Sequence, residues 1–358
     1  MAAYTTIDNP ELYFQVKLWT GTGSEIAATL DGDENMQPDF VAIKARTDAE
    51  SFKVYDSVRG VTKHIEWDTT DAEAAEAEGL KSFDSDGFTI GTYSSINASS
   101  SHTYVAWCWK AGTSFSNDAS ATSVGNTDSS GTASSTAGFS ISTYAGSSSD
   151  VTVKHGLSVT PAVMWIKNLS SDHWAVYHHK NTSAPETDYL KLSDNSATTD
   201  DADAAETWHD TAPTSAIATF GDFSATNRAT DTHVGYFWNE VQGYSKFGSY
   251  TGNGDADGPF IYTGFKPAFI LTKVTSDASG WALHDNKRTP FNVSGTRLLA
   301  NTSGADIVDA AVNIDFLSNG FKIRNNDTDD NGSGRTHIYM AFAEAPFVNS
   351  EGVPCNAR

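Results

Sequence analysis

Short runs of aromatic and β-branched residues, bounded by Gly, Asp, Asn or Ser, dominate the chain and predict β-strands. In the last run of the first hundred or so residues, Val105, Trp107 and Trp109 would share one face of a strand, while Ala106 and Cys108 share the other. Both faces are apolar, so we predict a central strand and a buried free thiol at Cys108. The strands predicted in this part of the chain are Phe40–Lys44, Lys53–Asp56, Phe88–Gly91 and Tyr104–Lys110.

This pattern occurs three times, with a period of roughly 100 residues, which is longer than a solenoid or propeller repeat and close to the size of a small domain. The sequence therefore predicts an all-β protein of three tandem, related antiparallel β-sandwich modules. The matching landmarks are Trp19–Gly21, Pro38–Lys44, Phe52–Asp56 and Tyr104–Trp107 in the first copy, Tyr144–Gly146, Pro161–Lys167, Trp174–His178 and His233–Tyr236 in the second, and Tyr250–Gly252, Pro267–Lys273, Trp281–Asp285 and Tyr339–Phe342 in the third.

Module boundaries follow from composition. We predict modules over residues 1–112, 138–245 and 246–348, a Ser/Thr/Gly-rich linker over 113–137, and a short tail over 349–358. Because the linker is long and the second boundary is tight, the first module should sit apart while the other two pack closely. One short surface helix is predicted over Asp71–Glu78, where alanine and glutamate alternate.

Net charge and cysteine content exclude some classes of partner and of fold. The 45 acidic and 23 basic residues give a net charge of −22, which disfavours nucleic acid as a partner. Two cysteines, Cys108 and Cys355, are too few for a disulfide framework. The N-terminal residues do not have the pattern of a signal peptide, and no stretch approaches the length of a membrane span. We expect a protein made in a cytoplasm, without membrane insertion.

Several segments resemble the repeated β-rich modules of marine, cyanophage-like tailed-phage structural proteins, which are distantly similar to concanavalin-like and SPRY β-sandwiches. The resemblance covers about residues 12 to 348. The segments that carry it are Pro38–Lys44, Tyr55–Gly60, Ser85–Gly91, Tyr104–Gly112, Trp208–Ser215 and Lys246–Gly254.

The resemblance implies a non-enzymatic, surface-exposed protein of the virion, associated with the tail as a fibre or adhesion protein and involved in host attachment. It also implies partners: further copies of itself, other tail or capsid subunits, and a glycan or protein of the host surface. A capsid decoration protein and a polysaccharide-degrading tail spike are the alternatives. The family supplies no catalytic residues, and we predict none and no cofactor.

Two sets of polar residues could carry chemistry. The segment Asp327–Gly332 matches the start of a calcium loop, with Asp327, Asp329 and Asn331 as ligands, but Ile338 stands where the loop needs a bidentate Glu. A solvated hairpin tip is the alternative. The repeated lysines should mark the solvated ends of equivalent strands, with a ring at an assembly interface as the alternative; they are Lys44, Lys167 and Lys273.

One position at the end of the second strand of each copy is ionisable: Asp56, His178 and Asp285. Because the residue type changes between copies, a shared catalytic role is not expected there. Most aromatic residues occupy strand landmarks and belong to the core. Those outside the landmarks are the predicted receptor-binding surface, since aromatic faces can stack on sugars: Trp67, Trp208 and Tyr244.

Overall fold

The computed structural model describes residues 5–99, 101–147, 149–201 and 206–356. Over these residues the chain is all-β, as the strand pattern predicts, with twenty-eight strands and four α-helices of four residues each. Short 3-10 helices lie at Pro10–Leu12, Pro185–Thr187 and Ala310–Val312. Among the described residues no helix is long and apolar enough to cross a membrane. We call residues 14–109, 139–238 and 245–346 the first, second and third repeat.

The first repeat holds a large sheet of order β1-β9-β3-β4, a small sheet of order β2-β8-β7 and the pair β5-β6. Its elements are β1 (Phe14–Thr20), β2 (Ile26–Thr29), β3 (Phe40–Ala45), β4 (Lys53–Asp56), β5 (Lys63–His64), β6 (Ala74–Ala75), β7 (Leu80–Asp84), β8 (Gly87–Ile90), α1 (Ser94–Asn97) and β9 (Thr103–Trp109).

The second repeat contributes to an eight-stranded sheet of order β10-β11-β12-β19-β14-β15-β16-β17 and a small sheet β13-β18. The elements are β10 (Thr113–Asn117), α2 (Ala119–Thr122), β11 (Ser129–Ser134), β12 (Phe139–Ala145), β13 (Val151–Lys154), β14 (Val163–Asn168), β15 (Ala175–His178), β16 (Asp188–Lys191), β17 (Thr199–Asp200), β18 (Ile217–Phe220), α3 (Ser224–Asn227) and β19 (Thr232–Trp238).

The third repeat holds a large sheet of order β20-β28-β22-β23-β24-β25 and a small sheet of order β21-β27-β26. Its elements are β20 (Ser245–Thr251), β21 (Phe260–Tyr262), β22 (Phe265–Val274), β23 (Trp281–Asp285), β24 (Thr296–Leu299), β25 (Ile307–Val308), β26 (Ile314–Leu317), β27 (Gly320–Ile323), α4 (Thr328–Asn331) and β28 (Thr336–Pro346).

Each large sheet contains the same four-strand order: the first strand of the repeat, then the last, then the two middle strands. Register aligns the repeats residue by residue, because Lys44, Lys167 and Lys273 pair with Val105, Val234 and Ile338. The third copy of the last strand therefore starts its match at His337. The predicted landmark, which begins at Tyr339, is two residues out of register.

The three large sheets share one hydrophobic core. Trp107 and Trp109 are buried in it, as predicted for one face of β9, together with Tyr236, Trp238 and Phe342 from the other repeats. Their neighbours on the opposite strand face pack instead under the small sheets: Ala106 and Cys108 in the first repeat, Phe237 in the second, and Tyr339 and Ala341 in the third. Each large sheet thus has one face in the common core and one in a core of its own.

Aromatic rings join the repeats across this common core. The ring centroids of Phe40 and Tyr236 are 4.9 Å apart, those of Trp67 and Trp165 are 5.4 Å apart, and those of Trp109 and Phe269 are 5.4 Å apart. The first repeat contacts both others in this way. The expectation that it would sit apart is wrong, because its inner sheet face is apolar and is buried only against its neighbours.

A recurring glycine is explained by close backbone approach. A Cβ atom built on Gly21 would lie 2.1 Å from the carbonyl oxygen of Ala98, and one on Gly146 would lie 2.0 Å from that of Arg228. In the third repeat a Cβ on Gly252 would lie 2.4 Å from the carbonyl oxygen of Gly332. The strand end meets the residue after the short helix in all three repeats, and only glycine leaves room for this contact.

The turn after each of these glycines is fixed by a buried asparagine at the end of the same helix. Asn97 Oδ1 accepts from the Thr22 amide at 2.9 Å, and Asn227 Oδ1 accepts from the Ser147 amide at 2.7 Å. In the third repeat Asn331 Oδ1 accepts from the amide of Asn253 at 2.8 Å. The three repeats therefore share their polar core contacts as well as their strand order.

Two local predictions are wrong. The segment Asp71–Glu78 contains the short strand β6 and no helix, because the Glu73 amide donates to the carbonyl of Leu169 in the second repeat. The expected linker over 113–137 contains β10, α2 and β11, and β11 pairs along its own whole length with β12. Serine and threonine side chains suit an edge strand as well as a linker, so composition did not separate the two.

Candidate functional site

The position shared by Asp56, His178 and Asp285 lies where one repeat meets the next, and we call these three boundaries the seams. Asp56 accepts a hydrogen bond from the Tyr236 hydroxyl at 2.7 Å, which joins the first and second repeats. Asp285 accepts from the Trp107 indole nitrogen at 3.2 Å, which joins the third and the first. His178 Nε2 lies 3.2 Å from the carbonyl oxygen of Tyr339, which joins the second and third.

Asp56 also forms a buried ion pair. Its Oδ2 accepts from Arg59 Nε at 2.5 Å, and its Oδ1 accepts from the amides of Val58 and Arg59 at 3.1 and 2.8 Å. Arg59 Nη1 continues to Glu73 at 3.1 Å. Both carboxylate oxygens of Asp56 are therefore engaged by donors, as a buried carboxylate requires.

The third repeat has the same arrangement. Arg288 Nε donates to Asp285 Oδ2 at 2.5 Å, and Arg288 Nη1 donates to Asp306 at 2.8 Å. Asp306 reaches the first repeat as well, since it accepts from Arg46 Nε at 2.8 Å. The guanidinium of Arg288 lies 5.7 Å from the ring centroid of Trp107.

In the second repeat this network is neutral. His178 replaces the aspartate and Asn181 replaces the arginine, and Asn181 Oδ1 accepts from Thr198 Oγ1 at 2.6 Å. Burial lowers the pKa of His178 to about 3, so the imidazole is neutral near pH 7. Thr198 takes the place of the acidic residue, because its amide makes the same inter-repeat hydrogen bond as those of Glu73 and Asp306. Three positions that are charged in the other repeats are therefore neutral in the second, and none of the three is left as an unpaired charge.

Each seam also has one equivalent backbone hydrogen bond. The Glu73 amide donates to Leu169 at 2.8 Å, and the Thr198 amide donates to Thr275 at 2.9 Å. The Asp306 amide closes the ring by donating to the carbonyl of Arg46 at 2.8 Å. The repeats therefore contact one another in a closed cycle of first to second, second to third and third to first.

The repeated lysines are buried in the seams, so the prediction of solvated strand ends is wrong. Lys44 Nζ donates to Ser303 at 3.1 Å, Lys167 Nζ to Thr70 at 3.3 Å, and Lys273 Nζ to Asn195 at 3.4 Å, in each case a backbone carbonyl of the neighbouring repeat. Burial lowers the pKa of each ammonium group to about 8 against the attraction of nearby acidic residues. The interface that these lysines occupy lies between repeats of the same chain.

The segment predicted to start a calcium loop forms α4 and its N-cap. Arg297 Nη1 donates to Asp327 at 2.7 Å and to Asp330 at 3.0 Å, and its Nη2 lies 3.3 Å from Asp329. Burial would raise the pKa of Asp330, but His284 and Arg297 outweigh it and hold that pKa well below its usual range. The three carboxylates therefore converge on the guanidinium group of Arg297.

Among the predicted cation ligands, Asp327 and Asp329 both contact Arg297. Asn331 instead bonds to Asn253: its Oδ1 accepts from the Asn253 amide and its Nδ2 donates to Asn253 Oδ1. Over the ranges that the structure describes, no group of three His, Cys, Asp or Glu side chains is arranged to hold a metal. The calcium site stays a prediction.

The three predicted receptor-binding aromatics are buried, so that prediction is wrong. Trp67 packs on Phe52 and Trp107, with ring centroids 5.1 and 6.4 Å away. Trp208 donates its indole N–H to the Asp188 carbonyl at 2.9 Å, and Tyr244 packs against Phe342. They lie outside the strand landmarks but belong to the hydrophobic cores, Trp67 and Tyr244 to the common core and Trp208 to that of the second repeat.

The surface does have an open pocket, of about 420 Å³, which we call the rim pocket. It is bounded by three segments: residues 240–246, which lead from the second repeat into β20, the turn Tyr262–Gly264, and Phe347–Val348 after β28. Tyr262 keeps 58% of its surface exposed. Nothing in the repeat pattern pointed to Tyr262, because it lies on the short strand β21 with no landmark at either end.

A family model described as "Domain of unknown function (DUF7483)" matches residues 9–346. The chain belongs to this family. The DUF7483 match runs through all three repeats without interruption, and its span agrees with that of the common core. Comparison with curated proteins finds no match.

The residues that hold the DUF7483 unit together were only partly visible in the sequence. Arg59 and Arg288 each follow the seam aspartate by three residues, and this Asp-x-x-Arg spacing was the available signal. Their acceptors Glu73 and Asp306 lie at unrelated distances along the chain, so the pairing itself required the structure.

Proposed function

We propose that this chain is a non-enzymatic structural protein on the surface of a tailed-phage virion, associated with the tail and contributing to host attachment. The phage assignment rests on the sequence resemblance described above. We further propose that each repeat is one antiparallel β-sandwich of the jelly-roll or concanavalin-like kind. This is supported by the separate hydrophobic core that each repeat has between its large and its small sheet.

One observation carries the non-enzymatic part of the proposal: the ionisable residues at equivalent positions in the repeats join one repeat to another. Asp56 and Asp285 are fully enclosed by arginine, backbone amides and an aromatic donor of the next repeat. The buried Lys44 likewise donates to carbonyls. A hydrolase needs such groups in a cleft open to substrate, whereas here they stabilise a rigid scaffold.

A scaffold of this kind suits a protein that must keep its shape while bearing surface loops. The three seams remove the flexible boundaries that tandem domains normally have. Surface loops and the rim pocket are then presented by a fixed framework, which is the arrangement expected of a binding protein built on β-sheets.

The test is the position of the chain in purified particles. Mass spectrometry of gradient-purified virions should detect it, and antibody-gold labelling should place it on the tail. Labelling of the capsid would support the decoration alternative and refute the tail assignment. Absence from particles would refute the virion proposal, and release of reducing ends from host polysaccharide by the pure protein would refute the non-enzymatic one.

A further inference from the structure

The rim pocket has the size of a ligand site. Its volume of about 420 Å³ lies within the usual range of roughly 300 to 1,000 Å³ for small-molecule sites. It also lies at a junction, where the segment between two repeats meets the start of β22 and the end of β28. Ligand sites commonly form at such junctions between structural units.

The walls of the pocket are held in place by hydrogen bonds. Glu240 Oε1 accepts from the Phe247 amide at 2.8 Å, and Thr263 Oγ1 donates to the Phe265 carbonyl at 2.7 Å. The Gln242 carbonyl accepts from Thr5 Oγ1 at 3.1 Å. The Glu240 and Gln242 bonds tie the wall to neighbouring segments, and the Thr263 bond holds the turn Tyr262–Gly264 locally.

Tyr262 is the most exposed large aromatic residue in the pocket lining. Most large aromatic rings of the described residues are buried, whereas Tyr262 is 58% exposed at the pocket wall; Phe260 and Phe291 are also exposed but do not line the pocket. Its hydroxyl lies 3.6 Å from the position of a Cβ atom built on Gly264, so the ring folds back over its own turn. An exposed ring with an apolar face and a polar edge is suited to a ligand that has both kinds of surface.

The charges of the pocket narrow the ligand class. Glu240 and Lys246 lie 3.9 Å apart and largely offset each other. An anionic ligand would also meet the overall charge of −22, and an apolar ligand would leave Glu240, Lys246 and Gln242 without water. A neutral molecule with many hydroxyl groups and a flat C–H face meets all of these conditions.

We propose that the rim pocket binds a neutral saccharide, with Tyr262 stacking on a sugar ring and Glu240, Gln242 and Lys246 bonding its hydroxyl groups. This inference rests on the proposed attachment function and names the class of surface molecule that the attachment would use. It places recognition at the junction of the second and third repeats, away from the buried aromatics that the sequence suggested.

The test uses the full chain on a glycan array containing neutral, amino, sialylated and sulfated oligosaccharides, followed by saturation-transfer NMR with the saccharides that bind. Neutral saccharides should bind, and Tyr262→Ala should weaken binding about tenfold or more, the loss expected when one aromatic contact is removed. Tyr262→Phe, which keeps the ring, should retain most of the affinity.

The matched control is Phe291→Ala, which removes an aromatic side chain that is 76% exposed and outside the pocket lining. This variant should bind like the parent. No binding to any neutral saccharide at millimolar concentration, a preference for acidic glycans, or equal binding by Tyr262→Ala would overturn the proposal. The two proposals fail separately: a chain found on virions that binds no sugar refutes only the saccharide site, and a sugar-binding chain absent from virions refutes only the virion function.

Discussion

The exchange of a charged seam network for a neutral one predicts a strong coupling among three residues. In the first repeat the network is Asp56, Arg59 and Glu73, and in the second it is His178, Asn181 and Thr198. Arg59→Asn removes the hydrogen bond to Asp56 at 2.5 Å and the one to the Val54 carbonyl at 3.0 Å. It leaves the Asp56 carboxylate, which has no exposed surface, without its counter-ion.

An uncompensated buried charge of this kind costs about 3 to 5 kcal/mol. The combined variant Asp56→His/Arg59→Asn/Glu73→Thr copies the neutral set of the second repeat and removes the charge altogether. Replacing a whole buried ionic network is close to neutral in comparison, so we expect the combined variant to lose no more than about 2 kcal/mol. It should therefore be more stable than the single substitution it contains.

The free energy of unfolding should be measured by urea titration, followed by tryptophan fluorescence, with the m-value checked for a change in cooperativity. Arg324→Asn is the matched control, because the Arg324 side chain is 40% exposed and pairs with the exposed Asp257 and the half-buried Asp315. Surface pairs are worth about 1 kcal/mol or less. The reasoning is refuted if Arg59→Asn costs no more than Arg324→Asn, or if the combined variant is less stable than Arg59→Asn alone.

Three further predictions concern the buried lysines, a recurring glycine and the isolated first repeat. The three buried lysines have a pKa of about 8 in the folded chain, whereas unfolded lysines have one of about 10.4. Between pH 8 and 9.5 the unfolded chain therefore binds more protons than the folded chain, and the free energy of unfolding should rise with pH. Urea titrations of Lys44→Met should show a smaller rise than the parent, and an equal rise would contradict the burial argument. Gly146→Ala should lower the free energy of unfolding by about 3 kcal/mol in the same titration, because its Cβ would lie 2.0 Å from the carbonyl oxygen of Arg228. The control Gly304→Ala, whose Cβ would have its nearest atom at 3.5 Å, should change it by less than about 0.5 kcal/mol. Residues 1–112 expressed alone should lack the near-ultraviolet circular dichroism of packed aromatic rings, because Trp107 and Trp109 would lose their partners in the other repeats; a folded, cooperative fragment would show that the common core is dispensable.

The sequence by itself determined the strands, their repetition and the faces of the central strand. Alternation at Val105, Trp107 and Trp109 placed these residues on one face correctly, because a strand turns successive side chains to opposite sides whatever its neighbours are. The burial of the Cys108 thiol follows from the same pattern. These features depend on local geometry, which a short stretch of sequence specifies.

Only the tertiary structure decided which polar residues are buried and what they contact. Lys44 resembles a solvated strand end in the sequence, yet its acceptor is the carbonyl of Ser303, 259 residues away. Asp56 meets Tyr236 across 180 residues, and the predicted surface ring of Trp67 closes the core beside Trp165. Such contacts depend on how the three large sheets pack around the common core. A local sequence pattern cannot predict them, because each sheet needs the other two to bury its inner face.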